Sequence, residues 1–375
     1  MSANIRLLLT LTQVPGVGPH RLRALVDHFR DPQQILEAPL RDLVAVEGVD
    51  QKTALSIRSF SRGRERIEAA RYADDQIARL ERVGGGIVSL WEGDYPPALR
   101  RIYDPPALLF ARGTILPCDQ SSIAVVGTRS PSAYGQQLAE QFASGIARAG
   151  LTVVSGLARG IDTIAHSACL RSGGRTLAVI GSGIDVLYPP ENRSLAENIR
   201  SEGALLSEYP MGTKPDAGNF PRRNRIISGI TLGTIVVETD CDGGAMITAA
   251  TALDQNREVF ALPSPINSKR QSGANRLIHD GKAVLVESVE DVLAELAPRL
   301  TPHARTPISS DALPREDLSL FERTVFDAFP DDQPVHVDLL SNRARMPVAD
   351  VLVHLLALEF KGVVRQTPGK YFVRL

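Results

Sequence analysis

From Ser122 onward the sequence carries a recurrence that few folds accommodate. Short apolar runs, Ile123–Val126, Thr152–Val154, Leu177–Ile180, Ala204–Leu206, Thr234–Val237, Glu258–Leu262 and Ala283–Val286, return roughly every 25 to 30 residues. Helix-length segments or long loops separate them. Runs that are apolar at consecutive positions suit strands buried on both faces, and strands alternating with helices imply a parallel, doubly wound sheet with right-handed crossovers. Such sheets place their ligands just beyond the strand C-terminal ends. The polar turn after each run is therefore where function is expected.

Those turns are rich in glycine. The first run is followed by Gly127-Thr-Arg129-Ser130, the second by Ser155-Gly156-Leu-Ala-Arg159-Gly-Ile-Asp162 with His166 beyond it, and the third by Gly181-Ser-Gly183. Glycine lets backbone approach a ligand closely, and helix N-termini attract anions, so three such turns at one sheet edge predict a phosphate-binding rim. Between the strand-like stretches Ala204–Glu208 and Gly233–Glu238 lies a polar loop carrying Lys214, Phe220, Arg222, Arg223, Asn224 and Arg225. Three arginines, a lysine and a phenylalanine have the chemistry of a site for phosphates and a stacked base. Arg129, Lys214 and members of the 222–225 run would meet phosphates, Phe220 would stack a base, and Asn224 would bind a base edge or brace the loop.

The same residues have plainer readings. Arg225 could tie the loop to Glu238, and Phe220 could be core filler, the usual fate of a phenylalanine. Asp162 is expected to cap the helix that follows it, and His166 to be a packed or capping histidine. Glu208 and Glu238 are read as ending neighbouring strands, where two carboxylates could do acid/base work; the reading adopted is that they hold the arginine loop in place. A Gly243-Gly244 turn leads into the next helix. Asp240 and Asp242 match no metal-site spacing. There is no G-x-G-x-x-G followed by an acidic residue and no Walker A sequence, which argues against dinucleotide binding and ATP hydrolysis. No cofactor is expected.

The remainder of the chain sets the domain organisation. Its 375 residues exceed one ordinary core. The net charge of −1 restricts any nucleic-acid site to a local basic patch. Three cysteines without paired spacing suit a reducing compartment. The apolar stretch Ile5–Leu11 is too short for a signal or spanning segment, which points to the cytoplasm. Residues 1–80 read as a helical domain with a good Val14-Pro-Gly-Val-Gly18 turn and a weaker copy at Val46-Glu-Gly-Val49, a helix-hairpin-helix pattern that either meets a phosphate or only packs. Residues 81–300 hold the sheet with a proline-rich N-terminal extension, 83–115, read as one or two edge strands. Residues 301–315 read as a linker.

Residues 316–375 give three helical patterns, Leu318–Phe329, Val337–Arg345 and Val348–Phe360, then a hairpin, Val363–Arg365 and Tyr371–Val373, around Pro368-Gly369. That is the winged-helix order. This stretch carries seven Lys and Arg against nine Asp and Glu, a net of −2, and the would-be recognition helix Val348–Phe360 has neither Lys nor Arg. Phosphate neutralisation dominates nucleic-acid affinity, so a protein contact or self-association is favoured there over base reading.

With these residues laid out, the chain resembles the DNA-processing protein A family (DprA, also called Smf). The matching stretches are Val126–Gly135, Ser155–His166, Gly181–Pro190, Asn219–Ser228, Glu238 with Gly243–Thr248, and Gly273-Ala-Asn275. They span the central domain in the family's order. The resemblance implies a Rossmann-like α/β domain between a helix-hairpin-helix (SAM-like) module and a winged helix. It also implies a non-enzymatic mediator of natural transformation that forms a homodimer, protects incoming single-stranded DNA, and helps load the RecA recombinase onto DNA coated by single-strand-binding protein. Carried over residue by residue, the DNA site would comprise Gly127, Arg129, Ser130, Ser155, Gly156, Arg159, Lys214, Phe220 and Arg222–Arg225, supported by Glu208, Glu238, Gly243, Gly244 and Asn275. The alternative is a nucleotide enzyme of the phosphoribohydrolase (lysine-decarboxylase-like) type, but Asp242–Thr248 lacks that group's proline and trailing glutamate.

Overall fold

The computed structural model describes residues 3–265, 272–300, 319–329, 335–360, 364–367 and 370–374. The linker expected at 301–315 and the Pro368-Gly369 turn lie outside the described residues. The chain forms two compact units, Met1–Thr301 and Pro302–Leu375.

The first unit is built on one nine-stranded sheet. Its strands are β1 (Gly85–Ser89), β2 (Leu108–Gly113), β3 (Ser122–Val126), β4 (Thr152–Ser155), β5 (Thr176–Val179), β6 (Ala204–Ser207), β7 (Gly233–Val236), β8 (Glu258–Ala261) and β9 (Val284–Leu285). The order is β1-β2-β6-β5-β4-β3-β7-β8-β9. β3 to β9 run parallel, one for each apolar run of the sequence, and β1 and β2 add antiparallel at one edge. Strand periodicity divides the core. Ile123 and Val125 of β3 pack with the helices Ala133–Arg148 and Ile161–Arg171, whereas Ala124 and Val126 face the layer of Asn219–Ile230 and Gly244–Asp254. From β3 the chain winds outward through β4, β5 and β6, then returns to the other side of β3 as β7. The crevice between β3 and β7 is therefore the topological switch point, where open α/β sheets bind ligands.

The N-terminal helices share a core with this sheet: Leu8, Leu25, Ile57 and Phe60 belong to one apolar cluster with Leu80, Ile87, Phe110 and Leu205. Arg21 stitches the two glycine turns together, donating to the carbonyls of Gly16 (2.7 Å) and Gly48 (2.8 Å). The second unit places helices Leu320–Asp327, Val337–Ala344 and Val348–Phe360 against a three-stranded sheet. In it β12 (Tyr371–Arg374) pairs with both β10 (Val335–His336) and β11 (Val364–Thr367). Val325, Leu340, Leu355 and Phe372 close its core. Among the described residues, no helix is long and apolar enough to cross a membrane.

Two expectations are corrected here. The polar segment between β6 and β7 is a loop only in its first half, because Asn219–Ile230 is helical. The arginine run therefore follows a 3.6-residue period, which sends consecutive side chains to different faces. Glu208 and Glu238 do not end neighbouring strands either, since β5, β4 and β3 lie between β6 and β7.

Candidate nucleic-acid interface

A cleft of about 770 Å³ opens at the switch point. Its walls are the turn Gly127–Arg129 after β3, the residues Phe220, Asn224 and Ile227, and the Gly243–Thr248 start of the next helix. Positions 220, 224 and 227 share one helical face, which explains why they line the cleft together. The Arg129 guanidinium lies 5.4 Å from the centroid of the Phe220 ring, and the Tyr188 ring lies 6.0 Å from the same ring. Phe220 packs over Gly181, where a Cβ would stand 3.1 Å from its Cδ1. The half-buried ring is thus a platform carrying a cation, and not core filler. Asn224 lines the cleft beside it, its amide nitrogen 3.5 Å from the Gly244 carbonyl.

The three arginines of the run separate. Arg223 is 4% exposed and donates to the carbonyls of Gly156 (2.7 Å) and Val179. Burial pushes its guanidinium down to about 10, while the Asp162 carboxylate pulls the other way. It forms part of the cleft floor: Nη1 makes both backbone hydrogen bonds, and Nε is buried with no hydrogen-bond partner among the described residues. Arg225 is ion-paired with Glu208 and, at 3.5 Å, with Asp104; it ties the helix to β6 and not to Glu238. Arg222 is exposed and stands on the face turned away from the cleft. Lys214 is exposed and precedes the cleft wall, which begins at Pro215. Arg159 pairs with Glu191 at a smaller hollow shared with Arg129 and Tyr188.

The glycine turns are braced from within. The Asp162 carboxylate accepts from the amides of Gly156 (3.1 Å) and Ala158 (3.2 Å). Burial raises its pKa, opposed by Arg223. Asp162 therefore holds the turn after β4, and the helix is capped by Gly160 instead. The Ser155 hydroxyl is buried and donates to the Val125 carbonyl (2.7 Å), so only its backbone belongs to the rim. Ser130 is exposed, its amide 3.3 Å from the Thr128 hydroxyl. Glu238 accepts from the Ser132 amide (3.1 Å) and hydroxyl (2.7 Å), so it supports the turn after β3 and not the arginine helix. A Cβ on Gly135 would overlap that carboxylate, and one on Gly243 would overlap the Thr239 hydroxyl. Gly244 opens the helix and is exposed to the cleft. Asn275 clamps Ser264, accepting from its amide (2.9 Å) and donating to its carbonyl (2.7 Å). His166 is fully buried, with Nδ1 2.7 Å from the Thr176 hydroxyl, and burial pushes its pKa down to about 3. Two participants were not singled out in the sequence. Tyr188 lies in the Gly181–Pro190 segment, where an aromatic close behind a strand-end turn was the available signal. Asp104 had none, since only the fold brings it to Arg225.

Residues 86–297 match the family DNA recombination-mediator protein A, residues 309–370 the DprA winged helix domain, and residues 8–62 the SAM-like helix-hairpin-helix tandem. The chain is 34% identical to protein Smf of Synechocystis sp., over 98% of both chains. It is 42% identical to the DNA processing protein DprA of Bacillus subtilis, over 60% of this chain and 75% of that one. The X-ray structure of DprA from Streptococcus pneumoniae is similar with a TM-score of 0.65 and 35% identity, covering 79% of this chain and 99% of that chain. A structure of DNA processing protein A from Helicobacter pylori, described for that protein's unique single-stranded DNA binding mode, is similar with a TM-score of 0.52 and 28% identity, covering 58% of this chain and 97% of that chain.

Proposed function

We propose that this chain, which belongs to the DNA recombination-mediator protein A family, binds single-stranded DNA without reading its sequence and acts as a recombination mediator in natural transformation. The observation that carries this reading is the Arg129–Phe220 pair at the mouth of the switch-point cleft. A cation held over a half-exposed ring offers a phosphate contact and a stacking surface within one nucleotide's reach. The exposed Lys214, just before the cleft wall, adds to the positive rim, Arg222 stands on the outer side of the same helix, and the helix start at Gly244 brings backbone amides to the cleft.

The finer reading is that a cytoplasmic homodimer passes the bound strand to the RecA recombinase, displacing single-strand-binding protein. Within it, residues 1–80, 81–300 and 316–375 act as a hairpin module, the DNA-binding domain and a partner-facing winged helix. A binding role is favoured over catalysis because Asp240 is left as the exposed acid of the cleft lining, with neither a second available carboxylate nor a histidine beside it in that lining. Glu238 and Asp162 are committed to backbone and hydroxyl donors, and His166 is sealed in the core.

The test is an anisotropy titration of labelled oligothymidylate across a salt series, with duplex DNA and nucleoside monophosphates as competitors. Three exposed cations, Arg129, Lys214 and Arg222, predict a slope of log affinity against log salt of about −2. Single strands should outcompete duplex. Competition by mononucleotides alone, or their hydrolysis, would overturn the reading in favour of a nucleotide enzyme.

A further inference from the structure

The outer face of helix Asn219–Ile230 carries Arg222, Arg225 and Gly229, spaced one turn apart, and the segment 98–105 is pinned along it. Gly229 lies against Leu99 and Ile102, where a Cβ would stand 2.9 and 3.1 Å from their side chains. Arg257 donates to the carbonyls of Ala98 (2.9 Å) and Gly229 (3.1 Å). Asp104 pairs with Arg225 and, at 2.6 Å, with Arg23. Both neighbours of Tyr103 are thus fixed, Ile102 by burial and Asp104 by two arginines, yet Tyr103 itself is 92% exposed. A lone exposed aromatic is ordinary on a protein surface. What sets this one apart is its company. The acids nearby, Asp104 and Glu208, are matched by Arg23 and Arg225. The exposed Arg222 and Arg101 have no ion-pair partner among the described residues. The face is therefore net positive and carries a rigidly presented ring. It begins at Arg222, next to Pro221 on the lip of the cleft.

We propose that this face is a second station for the bound strand: Tyr103 stacks a base outside the cleft, and Arg222 and Arg101 take the flanking phosphates. This rests on the single-strand reading above and extends it. The cleft holds the first nucleotides around Phe220, and a longer strand leaves over Pro221 and follows the outer face of the helix. It also accounts for Arg222, which the fold removes from the cleft without giving it an internal partner.

The station is tested by strand length. Oligothymidylates of about 6 and about 20 nucleotides bracket the span of one binding fold. Tyr103→Ser should weaken the longer strand by about fivefold or more, the low end of a base–aromatic stack, and leave the shorter unchanged. Tyr103→Phe should restore the longer strand's affinity. Tyr103→Trp should give fluorescence quenched by the longer strand only, measured against the parent with its single tryptophan, Trp91. An unchanged affinity for the longer strand in Tyr103→Ser, equal losses at both lengths, or an unquenched tryptophan would overturn the proposal. Failure of the cleft reading is separable, since it would show as undiminished binding of the short strand by Phe220→Ala.

Discussion

Arg222, Arg223 and Arg225 are chemically alike and three residues apart at most, yet they occupy three environments: solvent, a buried carbonyl cradle and an ion pair. Arg223→Ala should cost roughly 3 kcal/mol in urea unfolding, because it strips two buried carbonyls of their donor and the buried Asp162 carboxylate of its nearby positive charge. Arg222→Ala should leave stability unchanged and weaken binding of single strands. Equal stability in the two variants would contradict the burial of Arg223. Phe220→Ala should weaken binding of a short strand by about fivefold or more, whereas Phe220→Tyr, which keeps a π-face, should not. Equal losses would make the ring a packing residue. His166 titrates near pH 3 in the fold against 6.5 ordinarily, so as pH falls the unfolded chain takes up the proton first. Its contribution is complete above about pH 6.5 and is lost as pH falls toward 3, by up to roughly 1.4 kcal/mol per pH unit. His166→Gln should therefore flatten the decline of urea stability between pH 7 and 5, and parallel declines would exclude this cause.

At the scale of elements, the site is a set of strand-end turns held rigid by buried groups beneath them. Gly160 shows how little freedom the turn after β4 has. Its φ is +76°, and a Cβ there would collide with the Thr128 carbonyl and approach the Arg129 Cα to 2.8 Å. Gly173 has a similar φ of +69° but open space around it. Both alanine variants bear left-handed backbone strain of about 1–2 kcal/mol, but only Gly160→Ala must also move the turn that carries Arg129. It should have the lower melting temperature of the two and be the one that loses single-strand affinity. Matching behaviour of the two variants would show the turns to be independent.

At the scale of the molecule, the two units differ in what they offer a polyanion. The recognition-type helix Val348–Phe360 has no Lys or Arg and exposes Val353 (65%) and Leu356 (54%). That surface suits a protein partner better than a groove of DNA. A chain ending at Thr301 should keep single-strand affinity and its salt slope, read by the same anisotropy titration. A large loss with folding and dimerisation unchanged would reassign the winged helix to DNA.

Backbone architecture was legible in the residues because it depends on local periodicity: consecutive apolar runs with helical spacers specify buried parallel strands, and β3 to β9 lie where those runs are. The residue types of the proposed site were legible as composition, cations beside a phenylalanine in the segment between β6 and β7. Assignment within that composition was not. The order of strands separates Glu208 from Glu238, the helical period divides the 222–225 run, and the packing of residues 98–105 supplies Asp104 and leaves Tyr103 in solvent. A side chain's charge is written in the sequence, but whether it faces water or a buried carbonyl depends on which distant backbone the fold sets against it, and that was decided by the tertiary structure alone.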